Sequence, residues 1–325
     1  MIQGLILLAH PEYAGVMQNW HGTLLLWATI LLSYSINTAI GSLLARFEGF
    51  VLILHILGFF AVILPLVILG EHGTATDVFG TFLNLGDWQT QGLSLCIGMM
   101  GNVFSFLGAD GAIHMSEEIR NAAITVPRSL LASLAINGTL GLAMLIATLY
   151  SLGDIDTALA ENPQYPYMAI FEHAVGSKAG AAVMASIIVV MTISATTGSL
   201  ASTSRICWAF ARDHGLPGWR VLKKVSPRTS IPLYAVLTAS CIAVLLSLVN
   251  IGDAVAFNGV ISISVAGLFG SYFIAAALLL YRRLTGGIRS PKDDNTILTS
   301  TIVTGLTWGP WRLRGAFGVA NNPFT

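Results

Sequence analysis

Long stretches without a charged residue alternate along the chain with short charged segments. Seven of these stretches are long enough to cross a hydrocarbon core of about 30 Å, which needs about 20 helical residues. They are residues 13–45, 49–70, 88–109, 129–153, 179–204, 229–252 and 254–281. They are apolar on all faces, whereas a helix on the surface of a soluble protein keeps a polar stripe. The pattern predicts an all-α integral membrane protein of about seven transmembrane helices, with residues 1–9 as the end of one more.

Composition supports the same class of protein. Charged residues make up 10% of the chain and apolar residues 54%, and the mean hydropathy is +0.74. A soluble domain has about 25% charged residues, so this chain could not cover a water-exposed surface of its own size. The net charge of zero argues against a nucleic-acid partner, which needs a basic surface.

The basic residues predict the orientation. Of the 16 Lys and Arg residues, 15 fall on one side of the predicted spans, and only Lys178 falls on the other. Loops rich in Lys and Arg stay on the cytoplasmic side. We therefore expect a cytoplasmic C-terminus, with residues 284–325 as a cytoplasmic loop or tail. No linker composition divides the chain, which predicts a single transmembrane domain over residues 1–325.

A carboxylate stands at the end of the third predicted span, next to two glycines. Asp110 is flanked by Gly108 and Gly111, and glycine favours unwound backbone. An ionisable residue in a span is costly and indicates function, and transporters use broken helices to bind substrates and ions. His114 and the acidic pair 117–118 follow at helical spacing and are expected on the same face. Alternatively, the membrane ends at Asp110, and the carboxylate is only a cytoplasmic cap.

A second ionisable side chain, His55, lies within an apolar span. It can be a packed core residue or a proton carrier, because an imidazole can take up a proton near neutral pH. Residues 192–204 form an unusually hydroxyl-rich segment of another span. Its side chains could pack helices together, coordinate a cation or supply the hydrogen-bond partner that His55 needs in lipid.

These residues belong to motifs that resemble the amino acid–polyamine–organocation superfamily, most closely its fungal permeases for GABA, choline and amino acids. The sixth helix of that superfamily carries a pattern that reads here Phe106–Asp110, followed by Glu117–Asn121 and Pro127–Arg128. The eighth helix ends in a pattern that reads here Ser204–Arg205 and Phe210–Pro217. The motifs are specific jointly rather than singly.

The resemblance implies a fold and a position within it. The spans correspond to helices four to ten of a twelve-helix transporter with two inverted five-helix repeats. The family's broken first helix, which supplies half of the substrate site, would be absent, as would helices two, eleven and twelve. We expect a chain truncated at both ends, which leaves open whether it transports by itself.

The resemblance also implies roles for individual residues. Phe104 and Phe106 would be aromatic gates over a bound amine, and the carbonyls from Ser105 to Gly108 would accept hydrogen bonds from its ammonium group. Asp110 matches an acidic position that senses protons, and His55 stands where many relatives place a lysine. The substrate-binding residues would be Phe104, Ser105, Phe106, Leu107, Gly108, Asp110 and Gly111. A motif in the cytoplasmic loops would comprise Glu117, Glu118, Arg120, Pro127, Arg128 and Arg205.

The function expected from these observations is secondary active transport of amino acids or related amines, coupled to protons and working by alternating access. The expected partners are the small amine or amino acid, protons and the lipid bilayer of the plasma membrane. The residues show no nucleophile–base arrangement, and we expect no enzyme activity, cofactor or metal. The alternatives are a seven-helix receptor and a non-transporting amine sensor.

Overall fold

Long apolar helices make up most of the computed structural model, which describes residues 1–39, 43–108, 110–153, 165–227, 229 and 231–284. The predicted tail after residue 284 lies outside these residues. The helices are α1 (Ile2–Ala9), α2 (Asn19–Ala39), α3 (Leu44–Leu69), α4 (Ala75–Phe79), α5 (Gln91–Phe104), α6 (Gly111–His114), α7 (Ala122–Tyr150), α8 (Pro166–Val175), α9 (Lys178–Arg212), α10 (Trp219–Leu222), α11 (Leu233–Ser247), α12 (Val249–Gly252) and α13 (Ala254–Leu284). The described residues contain no strand, which confirms the all-α prediction.

Six segments of the described chain are long and apolar enough to cross a membrane. They are α2, α3, α7, α9, α11 together with α12, and residues 255–282 of α13. The remaining predicted span, residues 88–109, contains only the 14-residue helix α5. At 1.5 Å per residue, α5 is about 21 Å long, shorter than a hydrocarbon core. The helix ends at Phe104, four residues before the glycine pair at which the sequence predicted a break.

Two helices extend further than their charges suggested. Arg205 lies inside α9, which continues to Arg212, although the sequence placed this arginine in a loop. Pro127 and Arg128 likewise lie inside α7, which begins at Ala122, and not in the preceding loop. A helix can continue beyond the charge-free part of a span, because a long arginine side chain can extend toward water while its backbone stays helical.

The described helices form two compact units. The first comprises Met1–Met115 and Leu130–Phe257, and the second comprises Ser116–Ser129 and the described residues from Asn258 on. The apolar core of the first unit lies between α3, α8 and α9, where Leu66, Phe171 and Met184 are almost fully buried.

Buried polar contacts join α2, α9 and α11, which we call the polar-bonded triad. Ser33 Oγ of α2 lies 3.1 Å from Thr197 Oγ1 of α9, and Asn37 Nδ2 donates to the Thr197 carbonyl at 3.0 Å. Trp27 Nε1 of α2 donates to Ser247 Oγ of α11 at 2.7 Å. The hydroxyl-rich segment of α9 therefore serves helix packing at Thr197, one of the roles that the sequence left open.

Candidate functional site

The backbone opens between α5 and α6. Residues Ser105–Gly108 form turns, and Gly108 has a φ of +89°, in the left-handed region that glycine tolerates best. The chain becomes helical again only for the four residues of α6. The two glycines predicted this interruption, and Gly108 is the residue that makes it possible.

Backbone groups of residues 108–114 form hydrogen bonds with one another. The Gly108 carbonyl accepts a hydrogen bond from the Gly111 N–H at 3.0 Å. The Asp110 carbonyl accepts from the N–H groups of Ile113 and His114, at 2.8 and 3.2 Å. A carbonyl oxygen has two lone pairs, so the Gly108 carbonyl, expected to bind a substrate ammonium, keeps one acceptor site.

Asp110 and His114 form a close pair within this segment. Asp110 Oδ2 lies 2.8 Å from His114 Nε2, and the two side chains are only 15% and 22% exposed, respectively. A Cβ atom added at Gly111 would lie 3.6 Å from Ser202 Oγ, so the segment packs against the hydroxyl-rich part of α9. The expected helical face does not continue to Glu117 and Glu118, because these residues lie in a separate 3₁₀ turn, Ser116–Glu118.

A cavity of about 440 Å³ lies in the first unit. Its walls come from α3, α7, α8 and α9 and from Ser105, the first residue after α5. The lining is mainly apolar and includes the rings of Phe59 and Phe171. Its polar side chains are His55, Ser105, Asn137, Thr148 and Tyr167. A mostly apolar cavity with a few polar groups is the usual form of a small-molecule site.

His55 lies in this cavity and makes no hydrogen bond to any residue that the structure describes. The hydroxyl-rich segment does not supply its expected partner. The residues of α9 that line the cavity with His55 are Ile187, Ile188 and Met191. Gly198 of the hydroxyl-rich segment lies instead beside Glu48, whose Oε1 would be 3.2 Å from a Cβ added at that glycine. The register of α3 along α9 therefore places the hydroxyls at a different level from His55.

Tyr167 is a polar residue of the cavity wall that the sequence did not indicate. Its hydroxyl is buried and has no hydrogen-bond partner among the residues that the structure describes. Burial, with a smaller contribution from Tyr165, raises the pKa of Tyr167 to about 12, so the hydroxyl stays protonated. A buried O–H group without an acceptor is costly, so a ligand or water that supplies one would be stabilised here.

Comparison with known proteins identifies the family to which this chain belongs. The amino acid permease family matches residues 1–310. This chain belongs to that family. Family membership makes it a multi-pass membrane protein and points to a transporter rather than an enzyme.

Several curated relatives of this permease chain come from fungi. A choline transporter of Saccharomyces cerevisiae is 28% identical over 285 residues, which cover 87% of this chain and 50% of the relative. A GABA-specific permease of the same yeast is 31% identical over 204 residues, or 61% of this chain and 35% of the relative. A protein of Macrophomina phaseolina named as an amino acid/polyamine transporter is 28% identical over 293 residues, which cover 90% of this chain and 64% of the relative.

The permease chain spans 64% of the length of the Macrophomina phaseolina relative and 50% of the length of the choline transporter. No solved structure matches it.

Not every residue that the resemblance assigns to the permease site lies at the cavity. Ser105 and His55 line it. Phe106 is not among the described lining residues; it is 40% exposed, and its Cζ would lie 4.0 Å from a Cβ added at Gly138 of α7. The side chain of Phe104 lies outside what the structure describes. The loop-motif residues of the second unit are Glu117, Glu118, Arg120, Pro127 and Arg128, whereas Arg205 belongs to α9 of the first.

Proposed function

We propose that this chain takes part in secondary active transport of amino acids or related amines, coupled to protons and working by alternating access. The observation that carries the proposal is the interruption of the helix after α5, which contributes Ser105 to the cavity and is followed by Asp110, whose side chain is 15% exposed. The names of the relatives, for choline, GABA and polyamines, support a small amine as the substrate.

The end of α5 offers a place for the charged group of an amine. The last carbonyls of a helix have no partners within it and carry partial negative charge. α5 ends at Phe104, and the next residue, Ser105, lines the cavity. The ammonium group of a substrate placed at Ser105 would be stabilised by this helix end. The apolar part of the same substrate would contact Phe59 and Phe171 across the cavity.

The Asp110–His114 pair is one of two proposed coupling sites, and His55 is the other. Protonation of the Asp110 carboxylate removes its negative charge and changes the hydrogen bond that it exchanges with His114. Because the pair lies directly after the broken segment, this change would act on the backbone that carries Ser105. A proton would thereby favour one of the two arrangements that alternating access requires.

The proposed setting is the plasma membrane, with the C-terminus in the cytoplasm. The support for this orientation is the distribution of Lys and Arg residues between the spans.

An uptake assay tests the proposed function. The natural gene that encodes this chain is expressed in cells without their own amine uptake. Radiolabelled choline, GABA and a neutral amino acid are then supplied separately. We expect saturable accumulation of at least one of them, stronger in acidic medium and abolished by a protonophore. Accumulation that a protonophore leaves intact would contradict proton coupling, and saturable binding without uptake would favour a sensor.

His55 is expected to be a coupling residue rather than a packing residue. His55→Leu breaks no hydrogen bond seen in the described structure, so stability is expected to change by less than about 1.5 kcal/mol. Proton-driven uptake is expected to fall about tenfold, as for the loss of a coupling free energy near 1.4 kcal/mol. His55→Lys keeps a protonatable group and should retain some uptake with an altered pH profile. If His55→Leu transports normally with an unchanged pH profile, His55 is only a core residue.

A further inference from the structure

The end of α9 and the connector to α11 form a surface that is both basic and aromatic. Residues 205–228 contain six Lys and Arg residues and a single acidic one, Asp213. Two tryptophans stand among them, Trp208 in the last turns of α9 and Trp219 at the start of α10. This region belongs to the first unit and lies outside the cavity and the broken segment.

Cations are stacked on both indole rings. The Arg212 guanidinium lies 4.9 Å from the centre of the Trp208 ring, and Lys223 Nζ lies 4.3 Å from that of Trp219. Arg220 contacts the same Trp219 ring at 5.4 Å. We call these five residues the Trp–cation cluster. Cation–π contacts of this kind hold flexible basic side chains in defined places.

A hydrogen bond joins the two halves of the cluster. Trp208 Nε1 donates to the carbonyl of Lys223 at 3.0 Å and so ties α9 to the residue after α10. His214 stacks on Trp219 with ring centres 3.9 Å apart. Asp213 lies 3.9 Å from Arg212 Nε and is the single acidic residue of 205–228, beside six basic residues in the same stretch of sequence.

Exposed apolar side chains lie beside the exposed cations. Phe210 is 54% exposed and Val221 is 45% exposed, and Arg212, Arg220 and Lys223 are exposed as well. Water alone would solvate the cations but not the phenyl ring. The boundary between acyl chains and headgroups accommodates both, which is why aromatic and basic residues concentrate there.

The length of α9 places this surface at that boundary. Its charge-free part, residues 179–204, is about 39 Å long at 1.5 Å per residue and can fill a hydrocarbon core of about 30 Å with some tilt. The next two turns, which carry Trp208 and Arg212, therefore emerge among the headgroups.

We propose that the Trp–cation cluster binds the phosphate headgroups of anionic phospholipids in the leaflet that it faces. A guanidinium binds two phosphate oxygens at once, and an ammonium adds a point charge. The indole rings and Phe210 would lie against the acyl chains just below. This site is independent of the transport proposal, since none of its residues lines the cavity.

Lipid titration of the detergent-purified chain, followed by native mass spectrometry, tests this proposal. Phosphatidylserine is expected to bind more tightly than phosphatidylcholine. The triple variant Arg212→Gln, Arg220→Gln, Lys223→Gln is expected to weaken phosphatidylserine binding by about tenfold or more, because each basic residue near a membrane surface contributes roughly a fivefold factor. Binding of phosphatidylcholine should stay unchanged.

Two further variants control this result. The double variant Arg46→Gln, Lys178→Gln removes positive charge from the first unit outside the Trp–cation cluster and should change phosphatidylserine binding by less than about threefold, since only charges near the site act strongly on it. Arg212→Lys with Arg220→Lys keeps the charge and should retain most of the binding, which separates loss of charge from loss of folding. Equal weakening by this double variant and by the triple variant of the cluster, no weakening by the triple variant, or full displacement by soluble glycerophosphoserine would overturn the proposal.

Discussion

Asp110→Asn is expected to lower proton-driven accumulation of substrate by about tenfold or more, the range of a typical coupling free energy, while the protein stays folded. Asparagine has almost the same size as aspartate, and its carbonyl oxygen can still accept a hydrogen bond from His114 Nε2. The 2.8 Å contact can therefore persist, whereas the proton-binding carboxylate is lost. Each variant is expressed from the natural gene that encodes this chain. Substrate uptake is measured at several external pH values, together with the amount of protein at the cell surface.

Asp87→Asn is the matched control for this variant. Asp87 is exposed and has a φ of +49°, a conformation that asparagine also tolerates. We expect its uptake and pH profile to equal those of the unmodified protein. If Asp110→Asn also accumulates substrate normally across the pH range, Asp110 is a structural cap, and proton coupling through this residue is wrong.

Gly58→Leu is expected to destabilise the protein by about 1–3 kcal/mol or more, because it overfills a tight contact between α3 and α9. Gly58 is buried, and a Cβ atom there would lie 2.7 Å from Cγ2 of Ile187. Ile187 is branched next to its own helix backbone, so it cannot swing away, and the two helices must separate. The added side chain would also enter the cavity, whose wall includes Gly58.

Gly49→Leu makes the same change on the same helix, at a position with no atom within 4 Å of an added Cβ. Its effect on stability is expected to stay within about 0.5 kcal/mol, as for most surface substitutions. Thermal unfolding in detergent, followed by circular dichroism, compares the two variants. Equal unfolding temperatures for both would mean that α3 and α9 do not pack closely at Gly58.

The sequence predicted the helices well because apolar length decides which segments can cross a membrane. It also predicted the interruption after α5, since Gly108 and Gly111 flank a carboxylate where a continuous helix would bury it. Both inferences depend on local properties of the chain. Family membership, expected from the motifs around Asp110 and Arg205, is confirmed by the match over residues 1–310.

Features that depend on how helices pack could not be predicted. The partner expected for His55 is missing because the register of α3 along α9 sets Ile187 and Met191, rather than the hydroxyls, at the cavity. Tyr167 has no neighbouring motif, and its role appears only once α8 folds into the cavity wall. The roles assigned to Asp110 and His55 in proton coupling stay predictions until the variants above are measured.

The polar-bonded triad has a consequence for how the protein resists mechanical force. Within lipid, no water replaces a hydrogen bond that is pulled apart, so removing α2 alone would break its hydrogen bonds to Thr197 and Ser247 with nothing to replace them. When one end of the chain is pulled by a cantilever, α2, α9 and α11 should therefore leave the bilayer in one rupture event rather than three. A cellular extraction machine that draws membrane proteins out helix by helix would stall at the same place.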